Sequence, residues 1–177
     1  VDWYAGGAMT VYGQTAILSG TVGASVVSLA DTNRPKEVQR YPALVANSAT
    51  IPTDPAYVYS ALVAHPTKPL LYGFRQQDYL YTIDVSGGTM RLASRYAYGN
   101  AGETVCCAMG ATVFQGKVYV AFRDRLLIYS ISEDGTLSNP EESLELNATN
   151  VVSSANRLYV QHDPTKSPSS GSTSPAG

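Results

Sequence analysis

The chain has 177 residues, enough for one domain burying roughly 70% of its unfolded surface, with 44% hydrophobic residues, 15% charged residues and a net charge of −2. Typical soluble domains carry about 25% charge, and no basic block occurs anywhere, so nucleic acid is not an expected partner. Apolar runs are short and broken by Gly, Ser or charge, far from the ~20 residues of a spanning helix, so direct membrane insertion is not expected either.

Helical periodicity is nearly absent, while short β-branched and aromatic runs recur between Gly, Pro, Asn and Asp, which predicts strands throughout. In a first unit, about residues 6–43, the runs are Ala16-Ile17-Leu18, then Val26-Val27-Ser28-Leu29 followed by Asp31, then Glu37-Val38-Gln39-Arg40-Tyr41. A second unit, about 59–99, has four: Ser60 to Ala64, Leu70 to Phe74, Tyr79 to Asp84 and Met90 to Tyr96. His65-Pro66-Thr67-Lys68-Pro69 makes the first turn. Ser86-Gly87-Gly88 makes the last, with glycine free to take positive φ.

A third unit, about 106–146, repeats the second without a gap. A shift of 48 carries Leu70-Leu71-Tyr72-Gly73-Phe74-Arg75 onto Val118-Tyr119-Val120-Ala121-Phe122-Arg123, Tyr81-Thr82-Ile83 onto Tyr129-Ser130-Ile131, and Gly87 onto Gly135. A partial copy, about 150–163, holds Asn150-Val151-Val152 and Arg157-Leu158-Tyr159-Val160 and stops. Residues 164–177 change character, to Ser, Thr, Pro, Gly and Ala. Such a stretch buries too little to order itself and reads as a flexible tail or an O-glycosylated stalk.

Four strand-like runs in about 40–50 residues is the period of propeller blades. Residues 1–163 are therefore expected to form an all-β, propeller-type array of about three and a half four-stranded antiparallel blades. A single sheet cannot bury both faces, and stacking blades around an axis solves that. Closed rings have 4–8 blades, so the ring is expected to be incomplete or part of a larger propeller. Val1 to Tyr4 closing the last blade is one solution. A fragment with further blades upstream, which the start at Val1 favours, and completion by another copy rank ahead of it.

Ser25-Val26-Val27-Ser28-Leu29-Ala30-Asp31-Thr32-Asn33-Arg34-Pro35-Lys36-Glu37-Val38 resembles the LVIVD-type repeat of bacterial surface propellers: a hydrophobic strand, Asp, a small residue and Pro, then the next strand. Ala64-His65-Pro66-Thr67-Lys68-Pro69-Leu70-Leu71-Tyr72 resembles the corresponding turn of YVTN-type, lactonase-like propellers. The resemblance covers most of residues 6–163 and implies the fold, since many unrelated activities use propellers. The third unit departs from it, with Ser132 and Glu133 where the Asp would fall.

No catalytic constellation is visible. His65 and His162 lack a second ligand at zinc spacing, and there is neither a Gly-x-Ser-x-Gly elbow nor a Walker pattern. No catalytic residue, cofactor or metal is assigned, although an ion in a propeller channel keeps Asp31, Asp54 and Asp84 as weak candidates. Arg75 and Arg123, equivalent under the 48-residue shift, are candidates for an anion or partner contact. The plainer account is repeat inheritance with surface ion pairing.

There are 13 tyrosines, and most suit half-buried strands. Tyr57, Tyr59, Tyr96 and Tyr98 are candidate interface aromatics. Cys106 and Cys107 are adjacent, a spacing that strains any bond between them. They read as one core and one outward thiol, the alternatives being a strained redox pair or bonds to another chain. Asn147-Ala148-Thr149 matches the N-glycosylation pattern. The expected role is a non-enzymatic, extracytoplasmic domain making protein contacts, a structural subunit of a surface assembly, filament or virion that self-associates. A lactonase-like hydrolase with a channel metal and a glycan-binding module are the alternatives.

Overall fold

The computed structural model of the chain describes residues 8–20, 23–42, 59–74, 79–97, 108–122, 125–138 and 140–163. Blade 1 consists of β1 (Ala8–Tyr12), β2 (Thr15–Gly20), β3 (Gly23–Ser28) and β4 (Lys36–Pro42). Blade 2 consists of β5 (Ala61–Ala64), β6 (Leu70–Phe74), β7 (Tyr79–Asp84) and β8 (Arg91–Ala97). Blade 3 consists of β9 (Ala108–Phe114), β10 (Lys117–Phe122), β11 (Leu126–Ser130) and β12 (Glu142–Leu144), and a half-blade of β13 (Ala148–Ser154) and β14 (Arg157–His162) follows. Every pairing is antiparallel between strands consecutive in sequence, so each sheet is a simple meander. The fold is all-β and propeller-type, and the described residues form three four-stranded blades and a two-stranded one.

The first strand of each blade lies innermost: β1 packs beside β5, β5 beside β9 and β9 beside β13. Each begins with alanine, at Ala8, Ala61, Ala108 and Ala148, opposite the far end of the second strand at Ser19, Phe74, Phe122 and His162. A methyl side chain suits the place where neighbouring blades converge most closely.

Alternation along the strands sends side chains to opposite faces, and the faces pair off into seams. Between blades 1 and 2, Ile17, Val26 and Tyr41 meet Tyr59, Leu62, Leu71, Tyr81 and Ile83. Between blades 2 and 3, Tyr72, Phe74 and Leu80 meet Val118, Val120, Phe122, Leu127 and Tyr129. The third seam is smaller, with Ala121 and Leu126 against Ala148 and Val151. There Thr112 Oγ1 and Ser153 Oγ hydrogen-bond at 2.8 Å, and Asn150 Oδ1 sits over Gly110.

Polar atoms tie the seams as well. The Tyr41 hydroxyl donates to the Met90 carbonyl and accepts from the Met90 amide, both at 2.9 Å. The Tyr72 hydroxyl donates to the Gly135 carbonyl at 2.7 Å, and Lys68 Nζ donates to the Glu133 carbonyl.

The aspartate after the third strand turns the chain toward the fourth. Asp31 Oδ1 accepts from the Asn33 amide at 3.0 Å, and Asp84 Oδ1 accepts from the Ser86 amide at 2.7 Å. In blade 3, where Ser132 and Glu133 stand at the motif position, Asp134 takes over two residues later and accepts from the Thr136 amide at 2.9 Å. The side chains Ser132, Asp134 and Thr136 close on one another at 2.6–2.7 Å. These hydrogen bonds, Ser132 first, hold the Asp134 carboxyl down at about 2.

One expectation needs correction. The 48-residue shift maps the pair Gly73–Tyr81 onto Ala121–Tyr129, but Tyr129 pairs with Val118. The registers of the two hairpins differ by three residues, and an odd slip turns one strand over relative to its neighbour. Tyr72 and Tyr81 therefore serve different seams, while Val120 and Tyr129 serve the same one.

Candidate functional site

Among the described residues, Tyr59, His65, Asn147 and His162 lie apart in the fold. Tyr59 is fully buried: its ring lies edge-on to Tyr81 at 5.8 Å, over Gly73, and its amide donates to Ser19 Oγ at 2.8 Å. It is a core residue of the first seam rather than an interface aromatic, because Gly73, lacking a Cβ, leaves room for its ring there. Tyr96 pairs with Leu80 on β8. Tyr57, Tyr98, Arg75, Arg123, Asp54, Cys106 and Cys107 lie outside the described residues, as do Val1 to Tyr4 and the 164–177 tail.

His65 is buried in the β5–β6 turn, where Nδ1 accepts from the amides of Thr67 at 3.1 Å and Lys68 at 2.9 Å. Two donors on Nδ1 fix the neutral tautomer with its proton on Nε2. Burial, then the nearby Lys68 charge, lowers its pKa. His162 is exposed at the end of β14. Asn147 is half-buried ahead of β13, its carbonyl accepting from the Asp163 amide at 3.0 Å, and the Thr149 hydroxyl of the same triplet donates to the Gln161 carbonyl at 3.2 Å. Among the described residues no three His, Cys, Asp or Glu side chains group to hold a metal ion, and no helix is long and apolar enough to cross a membrane.

What the blades assemble is a pair of end faces. Each seam joins the leading face of one blade to the trailing face of the next. Among the described residues two faces have no described blade against them: the trailing face of blade 1 and the leading face of the β13–β14 hairpin. Cross-strand rows place Met9, Leu18, Ser25 and Arg40 on the first, with Val11, Ala16, Val27 and Glu37 beside them. Met9 is 66% exposed and Val11 47%. At the rim Arg40 grips Glu37 with two hydrogen bonds at 2.9 and 2.7 Å, and Ser25 Oγ donates to Glu37 at 3.5 Å. The Arg40 contact lowers the pKa of Glu37.

On the other end, Val152 pairs with Tyr159 and Asn150 with Gln161. Val152 is 50% exposed and Tyr159 49%. A shallow hollow of about 210 Å³ lies along this hairpin, lined by Asn150, Val151, Val152, Tyr159, Val160 and Gln161. These two faces hold four of the seven large exposed hydrophobic side chains among the described residues. That concentration marks them as contact surfaces rather than scattered surface apolars. Beyond β14 the two strand positions filled in the other blades have no described occupant. Sequence reasoning named the partial repeat but not these residues. Its signal was the partial repeat itself, at about 150–163.

Known structures share this architecture. The periplasmic gluconolactonase of Pseudomonas aeruginosa superposes with a TM-score of 0.55 at 17% identity, over 84% of this chain and 39% of that one. KlHsv2 with loop 6CD replaced by a Gly-Ser linker superposes with a TM-score of 0.50 at 9% identity, over 88% of this chain and 45% of that one. A hemagglutinating albumin of Cicer arietinum gives a TM-score of 0.48 at 12% identity, over 78% of this chain and 66% of its own. The chain thus spans less than two thirds of each of these proteins. At these identities the likeness is one of propeller-type fold. No family model and no curated protein matches the chain.

Proposed function

We propose that this chain is a non-enzymatic, extracytoplasmic propeller-type domain that works through protein contacts, as a structural subunit of a surface assembly. The carrying observation is the pair of end faces, with Met9 and Val11 on one and Val152 and Tyr159 on the other, all solvent-exposed in an array otherwise sealed by apolar seams. Among the described residues β14 pairs with β13 alone, and a strand edge of that kind is a template for pairing with another chain. The low charge, the 13 tyrosines and the Ser/Thr/Pro composition of residues 165–177 support a place outside the cytoplasm. The Asp-capped turns at Asp31 and Asp84, with Pro35 after the first, support the finer assignment to LVIVD-type surface propellers.

Absolute mass by light scattering on a size-exclusion column tests this reading. A mass that rises above 18.8 kDa with concentration is the expected result. A particle that stays at 18.8 kDa at every concentration, with the metal content and hydrolysis of a lactonase-like enzyme, would overturn it.

A further inference from the structure

We infer that the β5–β6 turn is an acid-sensitive latch across three blades: with His65 neutral it fastens blades 1 and 3 to blade 2, and protonation of Nδ1 releases it. The contacts involved all lie inside the described array, so the inference does not depend on which partner the chain binds.

The latch begins at one ring nitrogen. The turn runs through Pro66, Thr67, Lys68 and Pro69, and its two prolines have no N–H to hold it. The two amides that remain, those of Thr67 and Lys68, both donate to His65 Nδ1, at 3.1 and 2.9 Å. The shape of the turn therefore depends on Nδ1 being an acceptor. A proton there makes it a donor. Three N–H groups then point at one another, and a second positive charge stands beside Lys68.

The residues held by Nδ1 are the ones that reach the neighbouring blades. The Thr67 carbonyl accepts from the Tyr12 hydroxyl of blade 1 at 3.4 Å. Lys68 Nζ donates to the Glu133 carbonyl in the β11–β12 turn of blade 3. Leu70, Lys68 and His65 all lie within 4 Å of where a Gly135 Cβ would stand, and Tyr72, its ring 6.2 Å from the imidazole, donates to the Gly135 carbonyl. Thr67 and Lys68 belong to no strand ladder. Their release loosens blade against blade and leaves the pairing within each blade intact.

The charges around the ring favour the closed form at neutral pH. Lys68, on the same turn, opposes an imidazolium, and burial of His65 opposes it more strongly. Across the seam the Asp134 carboxylate is occupied by Ser132 and Thr136, and Glu133 meets the turn through its backbone carbonyl. Asp84, on the turn whose Val85 amide donates to the Pro69 carbonyl, is occupied by the Ser86 amide. Burial raises the pKa of the Tyr72 hydroxyl, which stays uncharged. Among the described residues no carboxylate hydrogen-bonds the imidazole. The latch is thus closed at and above the ordinary histidine value of 6.5 and opens as the pH falls through the lower folded value. Opening returns His65 to water and takes up a proton.

The chain has two histidines, and His162 is exposed, so His162→Gln leaves His65 as the single imidazole to follow by NMR from pH 8 to pH 4. As that imidazole takes up its proton, exchange protection of the Thr67 and Lys68 amides, corrected for intrinsic rates, is expected to fall on the order of tenfold. Amide signals of Tyr12, Gly135 and Thr136 should move with the same midpoint, while β10 keeps its protection. His65→Asn keeps an acceptor that does not titrate, and should hold the turn closed throughout. The pH series decides alone should that variant fail to fold. An imidazole that stays neutral to pH 4, or Thr67 and Lys68 amides that keep their protection while it titrates, would overturn the latch. So would unmoved signals in blades 1 and 3, or loss of protection in β10 at the same midpoint, which is unfolding of the whole array.

Discussion

Gly87 and Gly135 offer a matched pair of perturbations. Both sit in the turn from the third to the fourth strand, in blades 2 and 3, and both have positive φ, at +76° and +92°. Alanine in such a conformation costs about 1–2 kcal/mol. Around Gly87 a Cβ meets nothing within 4 Å, so Gly87→Ala carries only that backbone cost. At Gly135 a Cβ would come 2.5 Å from Leu70 Cδ1, with Lys68 Cδ at 3.4 Å and His65 Cδ2 at 3.5 Å behind it. Leu70 is half-buried and its terminal methyl can swing away, yet Lys68 and His65 close off much of the room. Overpacking adds about 1–3 kcal/mol, so Gly135→Ala should lose about 2–5 kcal/mol in all. Urea denaturation with linear extrapolation measures both. For a chain of this size each kcal/mol is also worth about 2–4 °C in Tm. Losses that agree within about 0.5 kcal/mol would refute the claim that the Gly135 turn is wedged into the seam.

Other perturbations have equally definite signs. Gly73→Ala would bring a Cβ to 2.6 Å from the Tyr59 ring, which is fully buried and has nowhere to go; a loss of about 3 kcal/mol in urea denaturation is expected. Tyr72→Phe leaves the Gly135 carbonyl without its donor and should cost about 1–2 kcal/mol, whereas Tyr129→Phe removes a buried hydroxyl that has no hydrogen-bond partner and should be neutral or stabilising. Calorimetric Tm values that shift alike in these two variants would count against the assigned seam chemistry. Because the folded state lowers the pKa of His65, its contribution is full above the ordinary value of 6.5 and is lost as the pH falls from there through the folded value. A denaturation series from pH 8 to pH 4 should show that loss. His65→Asn, which keeps an acceptor for Thr67 and Lys68, should flatten it. The Asp134 contribution follows only in acid, between its ordinary 3.8 and about 2.

The strands themselves were legible because their two signals are local. Leu70–Phe74 and Tyr79–Asp84 run between strong turn residues, and the sequence places them at their observed bounds. Ser60 and Met90 were expected inside strands that begin one residue later, at Ala61 and Arg91. Register was less legible. Residue types repeat at 48, but pairing is set by the hairpin turn. In blade 3 that turn is tight: the Phe122 amide donates to the Arg125 carbonyl at 2.8 Å. Nothing in the apolar pattern reports a three-residue slip, since both faces of a central blade are apolar. The same limit hid the contact residues. Met9 and Val152 look like any strand residue, and their exposure shows only in the structure. Tyr59 erred the other way: alternation with Tyr57 suggested exposure, while the close approach of Gly73 makes room to bury its ring.

The meander order has a consequence for how the molecule comes apart. Pairing is local within each sheet, and neighbouring sheets touch only through their seams, so stability approximates a sum of unit and nearest-neighbour terms. Among the described residues, blades 2 and 3 are sandwiched on both sides, blade 1 packs through one seam, and the two-stranded β13–β14 hairpin rests on the smallest seam. Amide protons should therefore exchange with deuterium in spatial order: β14 first, blade 1 later, and the interior of β6 and β10 last. A partner seated on the hairpin would slow exchange at β13 and β14 far more than elsewhere, so the array's weakest part would also be its most responsive reporter of binding.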